Sequence, residues 1–405
     1  MHEVAITGIG IVSCLGTGVE KAARALREGR SGIRLDPRRR KLGFRSALTG
    51  VIEDFTPPHL DRKKRKTMTD FDLQAYAAAL EAIAAAGWDD EMVRSPHTGL
   101  VIGNDSATQA NLEQVRITLE EKTTLSIGAG LVFQSLTSTA TMNLNALLGN
   151  QGASWTVAGA CASGGHAIGQ AADLIAWGRQ ERVLCGGVQE INWESVASFD
   201  ATNAFSTRED EPEGASRPFD SERDGLVPSG GAAVVALERM DLARKRGANI
   251  LGRMLSYAFS ADGYSLSVPS GEGLRRCMQE CLSLARTAPS QVDYVCAHAT
   301  STPVGDAAEA RAIAEVFGSC SPWVSSLKGM TGHEMWMAGA GQVVYSVLMG
   351  RDGFIAGNRN FQRQEAGVPV LRIPAQTVDA RPGVILCNSA GFGGTNSCLL
   401  ISTQG

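Results

Sequence analysis

No apolar run in this 405-residue chain approaches the roughly 20 residues needed to cross a bilayer, which excludes a membrane-spanning protein. The N-terminus, Met1-His-Glu-Val-Ala-Ile6, enters a strand-like run at once, without the basic and longer apolar stretches of a secretory leader. A cytoplasmic location is expected. The nine cysteines are odd in number and lack zinc-type spacing, so they suit a reducing compartment, with neither a disulfide framework nor a metal site. An excess of positive charge is also missing. With 38 Lys+Arg against 42 Asp+Glu, the net charge of −4 argues against general nucleic-acid binding and leaves only local basic clusters to explain. Gly8-Ile-Gly10 lacks the third glycine of a dinucleotide fingerprint, because Ser13 stands there, and a Rossmann assignment is rejected.

What is present reads as an ordinary globular protein, 43% hydrophobic and 20% charged, too long for a typical single core. Two core-forming units, or one large duplicated one, are expected. Val4–Gly10 reads as a buried strand and Val19–Glu28 as a helix. Residues 34–66 carry two basic runs, Arg38–Lys41 and Arg62–Lys66, around Pro57-Pro58, and read as an exposed excursion. An alanine-rich helix follows, with Leu73, Tyr76, Leu80 and Ile83 on one face and a stop at Gly87. Gly99–Gly103 is a strand, and residues 105–150 suit a helical insertion near a site or an interface. Strand signals return at Arg182–Gly187 and Gly231–Leu237, on either side of a charged loop at Arg208–Glu213. The alternation then resumes with Leu251–Ser256, a helix over Glu272–Arg286, and Val292–Cys296. No sequence repeat links the two parts, so any duplication is structural. The alternation predicts an α/β layered fold, with halves at 1–250 and 251–405.

Four stretches carry chemistry. Trp155–Gly165 breaks from an apolar run into a helical pattern at Cys161, a strand-to-helix turn where free N–H groups would lower a thiol's pKa and hold an oxyanion. Taken alone, Cys161 reads more readily as a small packed cysteine than as a nucleophile. His298 lies at a strand's carboxyl end, before a helix that stops at Gly318. Asp306 and Glu309 at its start have capping-box spacing. Lys328 and His333 flank a glycine turn. Cys387–Asn396 joins two strand-like runs through glycines, either as a plain hairpin or as a loop whose N–H groups reach an oxyanion, with Phe392 as an apolar gate.

In this order, Val4–Ser13, Ala160-Cys161-Ala162-Ser163, His298–Asp306, Lys328–His333 and Gly391–Asn396 resemble the β-ketoacyl-[acyl carrier protein] synthases of the thiolase superfamily, most closely the synthase I/II group. The resemblance implies a thiolase-like fold, a duplicated layered α-β-α-β-α architecture with mixed sheets. It also implies a cofactor-free and metal-free decarboxylative condensation. Cys161 would carry the acyl group, with its own N–H and that of Phe392 holding the oxyanion. His298 and His333 would stabilise the enolate, Lys328 would organise the histidines, and Thr300, Thr302 and Glu309 would support them. Arg62, Lys63 and Lys66 fall where such enzymes dock an acyl carrier protein, and a homodimer is implied. The chain departs from the family pattern at Ala299, Met335-Trp336-Met337, Ala390 and Leu226. Trp336, Ala390 and Leu226 are therefore candidates for a reshaped acyl pocket, with Trp336 and Ala390 compensating each other in volume. A specialised fatty-acid, polyene or polyketide role stays open, as do a non-condensing chain-length partner subunit and a carrier-binding scaffold.

Overall fold

The computed structural model describes residues 1–404. Ten strands line up in one sheet: Val4–Ser13 (β1), Thr98–Gly103 (β2), Ser154–Val157 (β3), Arg182–Gln189 (β4), Gly231–Arg239 (β5), Gly252–Ala261 (β6), Tyr294–Cys296 (β7), Trp323–Ser325 (β8), Val384–Ala390 (β9) and Thr395–Ser402 (β10). Their order is β8-β7-β9-β10-β6-β1-β5-β4-β2-β3, with the two-residue strand Gly16–Thr17 as a spur on β1. The second five repeat the first in order. In each set two parallel pairings are followed by two antiparallel ones: β2 with β3 and β4, then β4–β5 and β5–β1; β7 with β8 and β9, then β9–β10 and β10–β6. This common topology is a duplication that the side chains no longer record. The halves join where Val4–Ile6 of β1 pairs antiparallel with Gly252–Met254 of β6.

Layering follows from the two-residue period of a strand. Along β5, Ala233, Val235 and Leu237 face one core, while Ala232, Val234 and Ala236 face another. Along β10, Leu399 and Ile401 turn to that same first core, and Cys398 and Leu400 to a third. Both faces of each half are therefore covered, which explains apolar runs without alternation. The shared core holds helices Ser163–Ala176 and Ala338–Asp352, packed between the two halves. One outer layer holds Asp70–Ala86, here α1; the other holds Glu272–Leu284 and Pro303–Phe317. With Thr108–Glu121 named α2, the remaining helices in chain order are α3 (Ser163–Ala176), α4 (Glu272–Leu284), α5 (Pro303–Phe317) and α6 (Ala338–Asp352).

Three sequence expectations are corrected. The face of α1 that meets the sheet is Ala75, Ala78, Ala79, Ala82 and Ala86; Leu73 is buried and Tyr76 and Ile83 pack half-buried, but Leu80 is exposed. The reason lies in Gly8 and Gly10 of β1: a Cβ at either would sit 2.0 Å from the carbonyl oxygen of Ala82 or Ala78. These glycines serve close helix-to-strand contact, which larger helix residues on that face would prevent. Next, Asp306 and Glu309 are not a capping box. The helix starts at Pro303 after Thr302, and both carboxyls are buried: Asp306 accepts the Thr302 and Phe219 N–H groups, and Glu309 those of His298 and Ala299. Finally, the Arg38–Lys41 run is not wholly solvated. Arg39 is buried and donates to the Leu48 carbonyl at 3.0 Å and to Thr49 Oγ1 at 3.3 Å.

Candidate active site

Cys161 sits in a single 3₁₀ turn, Ala160–Ala162, between β3 and α3. Ala160 is held at φ 45°, a left-handed conformation that costs an L-residue about 1–2 kcal/mol. Two neighbours enforce it. Asp105 Oδ2 accepts the Ala160 N–H at 2.8 Å, and Ser163 Oγ accepts the Gly159 N–H at 2.9 Å while donating to the Ala160 carbonyl at 2.6 Å. The strain turns Sγ out of the helix start toward the opposite half.

From that half the turn between β9 and β10 comes up against it. A Cβ on Gly391 would lie 2.8 Å from the Gly159 carbonyl oxygen, so only glycine permits this approach. Gly393 and Gly394 take φ 78° and 80°, and the turn closes through the Gly391 N–H to the Thr395 carbonyl at 2.7 Å. It is thus a hairpin turn and also an N–H source: the amides of Cys161 and Phe392 lie near the sulfur and favour its charged form. His166 of α3 ties the two segments together, with Nε2 2.8 Å from Thr395 Oγ1 and Nδ1 2.8 Å from Tyr257 OH. Burial pulls its pKa down to about 4, so it is a neutral structural bridge.

His298 follows the end of β7. Glu309 of α5 accepts the N–H groups of His298 and Ala299 at 2.9 and 2.6 Å, and Asn388 Nδ2 donates to it at 3.1 Å. His333 is pinned through its backbone, its N–H donating to the Val227 carbonyl at 2.6 Å and its carbonyl accepting the Ser229 N–H at 2.8 Å. His333 Nε2 stands 3.1 Å from Cys161 Sγ. The two imidazoles meet edge to face, with centroids 5.3 Å apart at 87°.

Electrostatics correct one expectation. Burial pushes the Cys161 thiol up to about 12, outweighing the buried Lys328 charge and the Cys161 and Phe392 amides that oppose it; Asp105 adds to the rise. The helix start therefore does not yield a low-pKa thiol here, because desolvation exceeds the donors. Burial also drives His298 and His333 well below the usual imidazole range, helped by the Lys328 charge and, for His298, by His333. Both rings are neutral at pH 7. Neither Nδ1 has a hydrogen-bond partner among the described residues, so no partner locks either tautomer. Burial lowers Lys328 as well, against the pull of Cys296, Glu309, Glu334 and Cys161. Glu334, held by the Tyr345 hydroxyl at 2.7 Å, is raised to about 8 by burial.

A cavity of about 490 Å³ leads to this cluster, lined by Cys161, His298 and His333 at its floor and by Leu266, Val268 and Val304 among the rim residues. Thr300, Thr302, Glu309, Leu226, Ala390 and Phe392 line it too. Phe392, 43% exposed, stands at the mouth and stacks on Phe199 at 5.9 Å. Trp336 does not line this cavity. It lies in the apolar cluster around Cys161 with Leu226 and Met335, so Trp336 and Ala390 do not wall one common space. Arg62, Lys63 and Lys66 are exposed on and beside the short helix Arg62–Arg65, apart from the cavity lining. Sequence reading missed Asp105, His166, Phe199, Glu334 and Asn388. Asn388 lies inside the Cys387–Asn396 stretch and Glu334 directly follows His333, but nothing local marks their roles; Asp105, His166 and Phe199 lie outside the motifs and meet the site through the fold.

A buried Cys-His-His set with two amides on the thiol, seated between the halves of a duplicated five-layer fold, defines a thiolase-like condensing site. The β-ketoacyl synthase N-terminal domain family matches residues 1–243, and the β-ketoacyl synthase C-terminal domain family matches residues 251–362. The chain is 38% identical over 403 residues, covering 99% of itself and 98% of the relative, to the 3-oxoacyl-[acyl-carrier-protein] synthase 1 of Haemophilus influenzae. Its fold is similar to that of a β-ketoacyl synthase from Burkholderia phymatum, with TM-score 0.94, 31% identity and 99% of both chains covered. It is also similar to the ketosynthase of a type II polyketide system solved with its acyl-carrier protein, with TM-score 0.91, 27% identity and 99% of both chains covered. The chain belongs to the β-ketoacyl synthase family.

Proposed function

We propose that this protein is a 3-oxoacyl-[acyl carrier protein] synthase that joins an acyl group held on Cys161 to malonyl carrier protein. The observation that carries the reading is the 3.1 Å approach of neutral His333 to a protonated Cys161 thiol, beside the amides of Cys161 and Phe392. In the first half-reaction Sγ attacks the acyl thioester, its proton passes to His333 Nε2 and on to the departing pantetheine thiolate, and the amides of Cys161 and Phe392 hold the oxyanion. In the second, malonyl thioester loses carbon dioxide, and N–H groups of His298 and His333 stabilise the enolate oxygen. The enolate carbon attacks the acyl-Cys161 carbonyl, and the thiolate is expelled and reprotonated. One proton is consumed per turn. Neutral imidazoles suit this step because they donate a hydrogen bond without quenching the carbanion. Burial, helped by the Lys328 charge, keeps both rings neutral, and Glu309 positions His298.

The exposed Arg62, Lys63 and Lys66 suit an acidic carrier protein. A homodimer is supported by the open edge of β3, where Trp155 is exposed, and by Leu112, Val115 and Leu119 standing out on α2. A cytoplasmic setting suits nine free thiols. Residues 1–250 and 251–405 act as two halves of one unit, the first carrying the nucleophile and the second the histidines. Incubation with acyl carrier protein thioester, followed by mass spectrometry, is expected to find the acyl adduct on Cys161, and Cys161→Ala is expected to abolish condensation. A folded protein that takes no adduct would overturn the reading.

A further inference from the structure

We infer that Trp336 is the residue that sets the length of acyl group Cys161 accepts, restricting it to short chains; this rests on the ketosynthase reading above. The acyl carbon must bond to Sγ, and most directions from that atom are taken. His333 Nε2 stands on one side at 3.1 Å, and the Phe392 amide on another. The cavity that opens past Leu266, Val268 and Val304 is the open route to Cys161, and on the ketosynthase reading it takes the carrier's pantetheine arm. The acyl chain is left the apolar cluster beside Cys161, made by Val196, Phe199, Phe205, Leu226, Met335 and Trp336.

Trp336 fills that direction as a fixed wall. It is 7% exposed, its indole Nε1 donates to Ser106 Oγ at 3.0 Å, and its ring lies 6.1 Å from that of Phe199. Its backbone has no room to retreat: a Cβ added at Gly164 or Gly187 would lie 3.0 Å from the Trp336 carbonyl oxygen, so that strand and helix already touch it. Swinging the indole aside would strand a buried N–H and disturb Phe199, which stacks on Phe392. The wall is therefore rigid during turnover. Removing it gives each added methylene apolar cover, at up to about fourfold in acylation rate per methylene.

The test is the rate of Cys161 acylation, followed by intact-protein mass spectrometry, with straight-chain acyl carrier proteins from two to sixteen carbons. The full-length protein is compared with Trp336→Leu, Trp336→Ala and Ser106→Ala. The native protein is expected to slow steeply beyond short chains. Trp336→Leu and Trp336→Ala are expected to raise the long-to-short rate ratio at least tenfold, and Ser106→Ala, which frees the indole and also removes the hydroxyl's bond to Glu190 at 3.0 Å, by a smaller factor. Trp336→Leu keeps an apolar filler should Trp336→Ala fail to fold. Equal rates for four and sixteen carbons in the native protein would overturn the inference while leaving the ketosynthase reading intact. So would an unchanged ratio in folded Trp336→Leu. Absence of acylation at every length would instead overturn the ketosynthase reading itself, and the inference with it.

Discussion

Cys161 is expected to behave as a poor thiol toward simple alkylating agents and a good one toward thioesters. With its pKa pushed to about 12 by burial, only about one molecule in 30,000 carries the thiolate at pH 7.5, against about one in ten for an ordinary thiol at 8.5. Alkylation by iodoacetamide draws on the thiolate already present, so at Cys161 it should run about three thousandfold slower than at an exposed cysteine. Its rate should climb about tenfold per pH unit from pH 6 to pH 10 without levelling. Peptide mass spectrometry after timed quenching reads the modification at Cys161 separately from the other eight cysteines. A thioester, in contrast, lets His333 receive the proton as Sγ attacks, at 3.1 Å. His333→Ala should therefore leave the alkylation slope unchanged but slow acyl transfer by about 10²–10⁴, the usual worth of a positioned base. An alkylation rate that plateaus below pH 8 would mean a preformed thiolate–imidazolium pair, and would refute the desolvation argument.

Condensation should show no acid limb near pH 6.5. The functional imidazoles are neutral and their pKa values are lowered, so activity is present above those values and lost only as pH falls through them; an ordinary histidine would be about three-quarters protonated at pH 6. A pH–rate curve that falls with an apparent pKa near 6.5 would count against this. Glu309→Ala leaves the buried amides of His298 and Ala299 unpartnered, so denaturant unfolding should register a loss of about 2–5 kcal/mol, with a fall in kcat. Gly8→Ala drives a methyl to 2.0 Å from the Ala82 carbonyl, and thermal unfolding should show about 1–3 kcal/mol of destabilisation or more. Lys63→Glu with Lys66→Glu should raise KM for the carrier protein, steeply at low salt, and leave kcat unaltered; an unchanged salt dependence would remove these residues from docking.

The sequence alone marked the candidate groups for the chemistry. Cys161, His298, Lys328 and His333 each stand beside a local break in pattern, a strand end or a glycine turn, and such breaks are visible because they are made by neighbouring residues. It determined the layered class as well, since buried strands and helices alternate along the chain. The tertiary structure alone decided how those groups behave. The duplication was legible only through the family resemblance and not as a repeat, because it survives in strand order, which side chains do not record. The alanine face of α1 was misread because helix propensity and apolar period say nothing about how near a strand lies; two glycines in β1 set that distance. The direction of the Cys161 pKa was misread for a similar reason. Amide donors at a turn are local and legible, whereas desolvation sums over every segment that closes around the sulfur, including parts of the chain more than 150 residues away. Trp336 is a single large letter in the sequence, and only its bond to Ser106 and the glycines behind it make it a wall.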